Sequence, residues 1–322
     1  MRPQISSGSG SGLTAWLHRK GLRAGIYTDA GYTGCNGQGV GSYGHYQQDA
    51  NTFAAWGFDA VKLDFCGAGQ EGMTPQPAYT AFATALSNNS SHKPLLLNAC
   101  NFWVPGQIDG TNPSLANSSD DNYLWAPQIA QSWRTDTDIG FTRNIVFTHV
   151  LRNLARDAAH PGAAGPDHRN DPDYLGPELG MTRTEAQAQV SMWAMLAAPL
   201  ILGSDPRALS SATVRMLTKA RVIAIDQDQL GAQGTLLEQS GSGQVWVKPL
   251  ASGARAVALF NRGTSALQIT TTASVVGLPQ ASRYRLQNLW TNTATKTKNK
   301  NKNKIAARVP AHGVVLYRVT SG

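Results

Sequence analysis

Asp59-Ala60-Val61-Lys62-Leu63-Asp64-Phe65-Cys66 is the stretch on which the reading of the chain turns. Apolar residues at 61, 63 and 65 alternate with charged ones at 62 and 64, the period of a strand. Side chains two apart on a strand share a face, so Lys62 and Asp64 reach the C-terminal end of this strand side by side. An ammonium beside a carboxylate keeps it ionised, as a nucleophile must be. A structural ion pair at a strand end has the same appearance, and only the surrounding sequence separates the two.

Toward the N-terminus, Leu13 to Lys20 has helical spacing and stops at Gly21, and Leu22 to Tyr27 reads as a strand. Gln47 to Trp56 predicts a helix ended by Gly57, ahead of the Lys62/Asp64 strand. A helix over Ala78 to Leu86 then precedes a strand over Pro94 to Cys100, and Ile129 to Arg134 leads into Thr135-Asp136-Thr137-Asp138. Helices come next over Asn144 to Ala159 and Arg183 to Ala198, with a last strand over Pro199 to Gly203. Strands alternating with helices of this length imply right-handed crossovers and a parallel sheet, the α/β class, compatible with closure into a barrel.

Beyond about Gly234 the pattern changes to short alternating runs: Val245-Trp246-Val247, Arg255 to Phe260, Leu267 to Thr270, Tyr284-Arg285-Leu286 and Val314 to Tyr317. Turn signals at Ser240 to Gly243, Asn261-Arg262-Gly263 and His312-Gly313 separate them, as in an antiparallel β-sandwich. The expected division is a Gly/Ser-rich leader over residues 1–12, a (β/α) catalytic domain over 13–234 and a sandwich over 235–322.

The 322 residues fit a barrel of about 250 plus a smaller module. No apolar run approaches the ~18 residues of a membrane span. The net charge of +8 suggests nucleic acid at first sight, but five of the lysines (Lys296, Lys298, Lys300, Lys302, Lys304) fall in one low-complexity run. They account for all but +3 of the charge, and the run reads as a solvated loop or hairpin, so no nucleic-acid partner is expected. Cys35, Cys66 and Cys100 lack zinc spacing, as do His45, His160 and His168, so no metal or other cofactor is expected. Cys35 and Cys66 follow consecutive predicted strands, and loops at one end of a parallel sheet can bring them together; a disulfide there would favour an exported protein. The sequence leaves oligomeric state open.

Several motifs, in order, carry a family resemblance. Gly21 to Gly31, Asp49 through Trp56-Gly57 to Lys62-Leu63-Asp64-Phe65-Cys66, and Ser132-Trp133-Arg134-Thr135-Asp136-Thr137-Asp138-Ile139 are the first three. Asn170-Asp171-Pro172-Asp173, Met192 to Leu200 and Val222 to Asp228 complete the set. Together they resemble glycoside hydrolase family 27, of clan D, typified by α-galactosidases. The resemblance implies a (β/α)8-type TIM barrel followed by a sandwich, with a retaining two-carboxylate site acting on small or oligosaccharide substrates and needing no metal. It implies Asp64 as nucleophile, Lys62 in contact with the sugar, Asp138 as general acid/base and Arg134 holding both glycosyl group and carboxylate. Tyr27 and Asp173 match pocket-lining positions. The residues alone do not choose between Asp136 and Asp138; the resemblance selects Asp138. Asp171 reads as a turn carboxylate and Trp133 as core.

Two departures shape the expectation. The chain has no counterpart of the family's first two barrel strands or of the paired-Asp motif that binds distal hydroxyls, so the barrel is expected to be N-terminally incomplete and hydrolysis weak or lost. Cys100-Asn101-Phe102-Trp103 stands where galactose-specific members commonly carry a Cys-Glu-Trp run contacting the sugar, which leaves selectivity near C2 open and makes Asn101 and Trp103 candidate sugar contacts. α-D-Galactosides are the first expectation, then β-L-arabinopyranosides, then 2-acetamido sugars (as for an α-N-acetylgalactosaminidase) or α-glucosyl substrates (isomaltodextranase-like). A carbohydrate-binding pseudoenzyme is the non-catalytic alternative. Arg169 replaces the usual Trp.

Overall fold

The computed structural model describes residues 9–100, 122–140, 145–298 and 303–322. The chain divides into two compact units between Thr137 and Asp138.

The first unit runs α1 (Ser9–Arg19), β1 (Gly25–Asp29), α2 (Tyr46–Ala55), β2 (Ala60–Asp64), α3 (Cys66–Gln70), α4 (Pro75–Ser87), β3 (Leu96–Ala99) and β4 (Ser132–Arg134). β1 to β4 pair in chain order, all parallel. The strands form because their alternate residues bury: Val61, Leu63, Leu97, Ala99 and Trp133 are each at most 2% exposed. α4 starts with Pro75 in its first turn, where no intrahelical hydrogen bond is lost, and buries Ala78, Tyr79, Phe82, Ala85 and Leu86 along one stripe.

α1 begins at Ser9, inside the expected leader, and β1 overlaps the predicted Leu22–Tyr27 from Gly25 to Tyr27 but starts three residues later and runs on to Asp29. The residues after the helix are used to close it. Gly21, at φ 72°, and Leu22 donate to the carbonyls of His18 and Leu17, so extended pairing begins only at Gly25. Asp59 fastens the opposite rim of the sheet. It accepts from Ala24 N at 2.7 Å, His18 Nε2 at 2.8 Å and Lys93 Nζ at 2.9 Å. Desolvation raises its pKa, but these three donors outweigh it and hold Asp59 well below the usual carboxylate range.

The second unit contains α5 (Phe147–Ala158), β5 (Arg169–Asp171), α6 (Arg183–Leu196), α7 (Ser211–Leu217) and α8 (Ala220–Asp226). They precede β6 (Thr235–Ser240), β7 (Gly243–Pro249), β8 (Arg255–Asn261), β9 (Leu267–Thr272), β10 (Tyr284–Asn288), β11 (Ala294–Lys296), β12 (Lys304–Val309) and β13 (Val314–Ser321). A six-stranded sheet in the order β11-β10-β13-β8-β7-β6 faces the pair β12-β9, and every pairing is antiparallel. β8 is buried on both faces: Val257 and Leu259 enter the core between the sheets, while Ala256, Ala258 and Phe260 join a core built on α5 and α6.

α6 opens with a Thr182/Glu185 capping box and ends on Ala197 at φ 55°. The left-handed cap explains why the helix stops short of Ala198. The predicted strand over Pro199 to Gly203 is reduced to a single parallel bridge, Leu175 to Leu202. Gly203 lies flat on Tyr174, where a Cβ would come 2.1 Å from the ring, and Ser204 Oγ then ties the chain to the Pro177 carbonyl. α5 starts at Phe147 rather than Asn144, because Val146 is extended. In the basic run Lys296 ends β11 and Lys304 opens β12, so its ends belong to strands rather than to a loop; Lys300 and Lys302 lie outside the described residues. No described helix is long and apolar enough to cross a membrane.

Candidate active site

The register of the parallel sheet sets one polar row. Tyr27 pairs with Lys62 and Asp29 with Asp64; Lys62 pairs with Asn98, and Asn98 with Ser132. Paired residues of neighbouring strands point to the same face, so Tyr27, Asp29, Lys62, Asp64, Asn98 and Ser132 line one side while Val61, Leu63, Leu97 and Ala99 fill the other. Asn98 Nδ2 donates to Ser132 Oγ at 2.6 Å, joining β3 to β4.

Asp64 ends β2. Its Oδ2 accepts the Tyr27 hydroxyl at 2.8 Å and its Oδ1 the Phe65 N–H at 2.9 Å. Tyr27 is half exposed, yet burial around its hydroxyl, and after it the Asp64 carboxylate, hold the phenol well above its ordinary range. It therefore stays a protonated donor wherever Asp64 is ionised. Asp29, opposite Asp64, is buried and differently employed. Its Oδ1 accepts from Gly31 N at 2.8 Å and Ala68 N at 3.0 Å, and its Oδ2 from Gly67 N at 2.9 Å. Burial raises its pKa and these N–H groups oppose the rise. Gly67 admits no side chain: a Cβ there would lie 1.8 Å from the Thr33 carbonyl oxygen. The same junction carries a Cys35–Cys66 disulfide with Cα atoms 4.9 Å apart.

Arg134, at the end of β4, is buried, with Nη2 donating to the Asp136 carbonyl at 3.2 Å and Nη1 facing Cys100 Sγ at 3.7 Å. Asn122 Nδ2 holds the Arg134 carbonyl at 2.8 Å. Asp136 is 3% exposed, and its Oδ1 caps Thr137 N at 2.7 Å, a turn-forming use. Trp133 is wholly buried, in the core.

In the second unit Asp138 is half-buried and its neighbourhood is anchored from α5. Arg152 Nη2 donates to the Asp138 carbonyl at 2.9 Å, and His149 Nδ1 lies 3.0 Å from the Ile139 carbonyl. Asp173 Oδ2 accepts from Ile139 N at 2.8 Å and its Oδ1 from Tyr174 N at 2.8 Å, so this carboxylate fastens the Asp138 loop. Asp171 Oδ1 in turn accepts from Asp173 N at 2.9 Å, and Trp193 Nε1 donates to the Asp173 carbonyl at 2.6 Å. These contacts hold Asp173 at φ 85°, a left-handed conformation that costs on the order of 1–3 kcal/mol.

Asn101 and Trp103 lie outside the described residues. Asp29, Asn98 and Ser132 are not among the residues the sequence singles out; their signal is spacing, two residues from Tyr27, Cys100 and Arg134. The second unit also has a buried charge group. Lys248 is fully buried and donates to the Ala194 carbonyl at 2.9 Å. Burial lowers Lys248 to about 8 and raises Asp226 to about 7, the charge of each opposing the other's shift. Arg169 is lowered by burial and feels Asp226 next, which gives this residue a place in the charge balance. An open cleft of about 680 Å³, lined by Arg221, Gln227, Asp228, Leu250, Gln287 and Arg318 among others, contains none of the candidate residues.

Against known proteins, the family profile described as alpha galactosidase A matches residues 3–228, and that of the alpha galactosidase C-terminal beta sandwich domain matches residues 240–319. An α-galactosidase of Coffea arabica is 36% identical over 311 residues, covering 96% of this chain and 75% of that protein. One from Cyamopsis tetragonoloba is 34% identical over 312 residues, covering 96% and 69%. A solved structure from Bacteroides fragilis superposes with a TM-score of 0.82 at 26% identity; the chain spans 97% of its own length there but only 65% of that protein's. The fold class is thus α/β, of (β/α)8 TIM-barrel type, followed by an antiparallel β-sandwich.

Proposed function

Because this chain belongs to the α-galactosidase A family, we propose that it is a retaining glycoside hydrolase releasing terminal α-D-galactosyl residues from oligosaccharides. Asp64 is the nucleophile and Asp138 the acid/base. In the first step Asp64 attacks the anomeric carbon while Asp138 gives its proton to the leaving oxygen; the glycosidic bond breaks and a glycosyl ester on Asp64 forms. Esterification removes the Asp64 charge, so Asp138 loses a proton more readily and can deprotonate the incoming water. Water then displaces Asp64 with a second inversion, giving net retention, for which the two carboxyl groups must act about 5–5.5 Å apart.

The observation that carries this reading is the setting of Asp64. It ends a parallel strand, shares a face with Lys62, and is aimed by the Tyr27 hydroxyl at 2.8 Å. The C-terminal ends of parallel strands are where barrel enzymes place their chemistry. Burial of Asp136 favours Asp138 as acid/base. Lys62 and Arg134 are assigned to the glycosyl group, Asp173 to the loop that bears Asp138, and Asn101 and Trp103 to the sugar near C2. The disulfide supports function in an oxidising, extracellular setting.

Hydrolysis of an aryl α-D-galactoside by the chain, by Asp64→Ala and by Asp138→Ala tests the assignment. The expected result is turnover with retained configuration in the parent, and loss in both variants. A parent rate no higher than that of Asp64→Ala, with the sugar still bound, would make the protein a non-hydrolytic carbohydrate binder.

A further inference from the structure

We propose that reduction of the Cys35–Cys66 disulfide converts the ends of β1 and β2 into a four-ligand site for a thiophilic divalent cation such as Zn²⁺, with Cys35, Cys66, Asp29 and Asp64 as ligands. One donor atom from each residue lies within 4.8 Å of all the others. Tetrahedral zinc, with Zn–S of about 2.3 Å and Zn–O of about 2.0–2.2 Å, needs its ligand atoms roughly 3.3–3.8 Å apart. The longest separation therefore has to shrink by about 1 Å, while the two sulfurs, released from their bond, part to about 3.8 Å. In the oxidised protein the two sulfurs are bonded to each other and offer no thiolate, so the site is closed to metal while the disulfide stands.

The loop bearing Cys35 does not depend on the disulfide for its position. Glu71 accepts from Tyr32 N at 2.7 Å and from Thr33 N and Oγ1, each at 2.9 Å. Gly41 N donates to the Tyr32 carbonyl at 2.8 Å and Ser42 N to the Asp29 carbonyl at 2.9 Å. Gly67 packs directly beneath Thr33. The carboxylates are equally fixed: Asp29 by three backbone N–H groups, with its Oδ2 3.7 Å from Cys66 Sγ, and Asp64 by Tyr27, whose hydroxyl also lies 3.4 Å from Cys35 Sγ. Such outer contacts orient metal ligands.

With a phosphine as reductant, the S–S bond breaks, phosphorus takes the oxygen of one water to become the phosphine oxide, and the two hydrogens of that water end on the two sulfurs. Zn²⁺ then displaces both thiol protons and binds two thiolates and two carboxylates. Because Asp64 is the proposed nucleophile, an occupied site silences hydrolysis, a consequence that rests on the function proposed above. The metal site itself does not.

The test titrates the phosphine-reduced full chain with Co²⁺. The expected result is one equivalent bound, with a near-ultraviolet thiolate-to-cobalt band and the intense visible bands of a tetrahedral centre, both removed by Zn²⁺. The oxidised chain and a Cys35→Ser/Cys66→Ser variant should show neither band. Asp29→Asn and Asp64→Asn should each weaken Co²⁺ binding at least tenfold. Affinity unchanged in both aspartate variants, or a reduced chain that gives no thiolate band or loses its far-ultraviolet circular dichroism, would overturn the proposal. Binding that meets these criteria while turnover is untouched by Zn²⁺ would uphold the site and refute Asp64 as nucleophile.

Discussion

Asp29 and Asp64 occupy the same level of neighbouring parallel strands, yet the chain does opposite things after each. After β1 it folds back through Gly31 and Gly41, and the first turn of α3 delivers the N–H groups of Gly67 and Ala68 to Asp29. Asp64, two residues before that helix begins, receives among the described residues a single N–H, from Phe65, and the Tyr27 hydroxyl. A carboxylate has about four lone-pair sites. Asp29 commits three to backbone donors in a buried site and is structural, whereas Asp64 keeps capacity free beside a half-exposed tyrosine and is suited to attack. Residue type and register do not separate the two; the path of the backbone beyond each strand does.

Substitutions can break that contrast. Asp64→Ala should lower kcat on an aryl α-D-galactoside by at least about a thousandfold while leaving the melting temperature nearly unchanged. Asp29→Ala should do the reverse in origin, leaving three buried N–H groups without an acceptor and costing about 2–4 kcal/mol of unfolding free energy, read by urea titration. Equal destabilisation by both would dissolve the distinction. Tyr27→Phe removes one neutral-to-charged hydrogen bond and should reduce kcat about tenfold, with a smaller change in KM.

The smallest effect concerns a third acidic residue. Asp226 is buried like Asp29, but among the described residues its Oδ1 has no hydrogen-bond partner, and only the charges of Lys248 and Arg169 oppose the cost of burial. Its folded-state pKa, raised to about 7, exceeds its ordinary value. The folded protein therefore holds a proton that the unfolded chain releases, and the resulting stability, full below the unfolded pKa, is lost as pH rises through about 7. Lys248, lowered to about 8, loses stability as pH falls through that value. Urea unfolding at pH 5 and pH 7.5 should show the parent weakening by on the order of 1 kcal/mol, and Asp226→Asn without that decline.

Much of this is legible in the sequence. Period-two alternation places Lys62 and Asp64 on one face, and the motif order places the parallel strands ahead of the antiparallel ones. Pattern does not supply loop destination. Asp29 looks like any residue of Gly21 to Gly31 because the donors that define it come from residues 67 and 68, remote in sequence. Asp173 matches a pocket position, but the contact that reveals its use is with Ile139, on another loop. The strand expected over Pro199 to Gly203 shrinks to one bridge because Gly203, which resembles a strand end, serves instead to let Tyr174 approach. In the basic run, low complexity conceals where β11 ends and β12 begins.

The proposed mechanism requires Asp64 to form a covalent bond to the sugar. Incubation with a fluorinated α-galactosyl fluoride that slows deglycosylation, followed by peptide mass analysis, tests it directly. A glycosyl adduct is expected on the peptide containing Asp64 and none in Asp64→Asn. An adduct on another residue, or turnover with inverted configuration and no adduct, would contradict it.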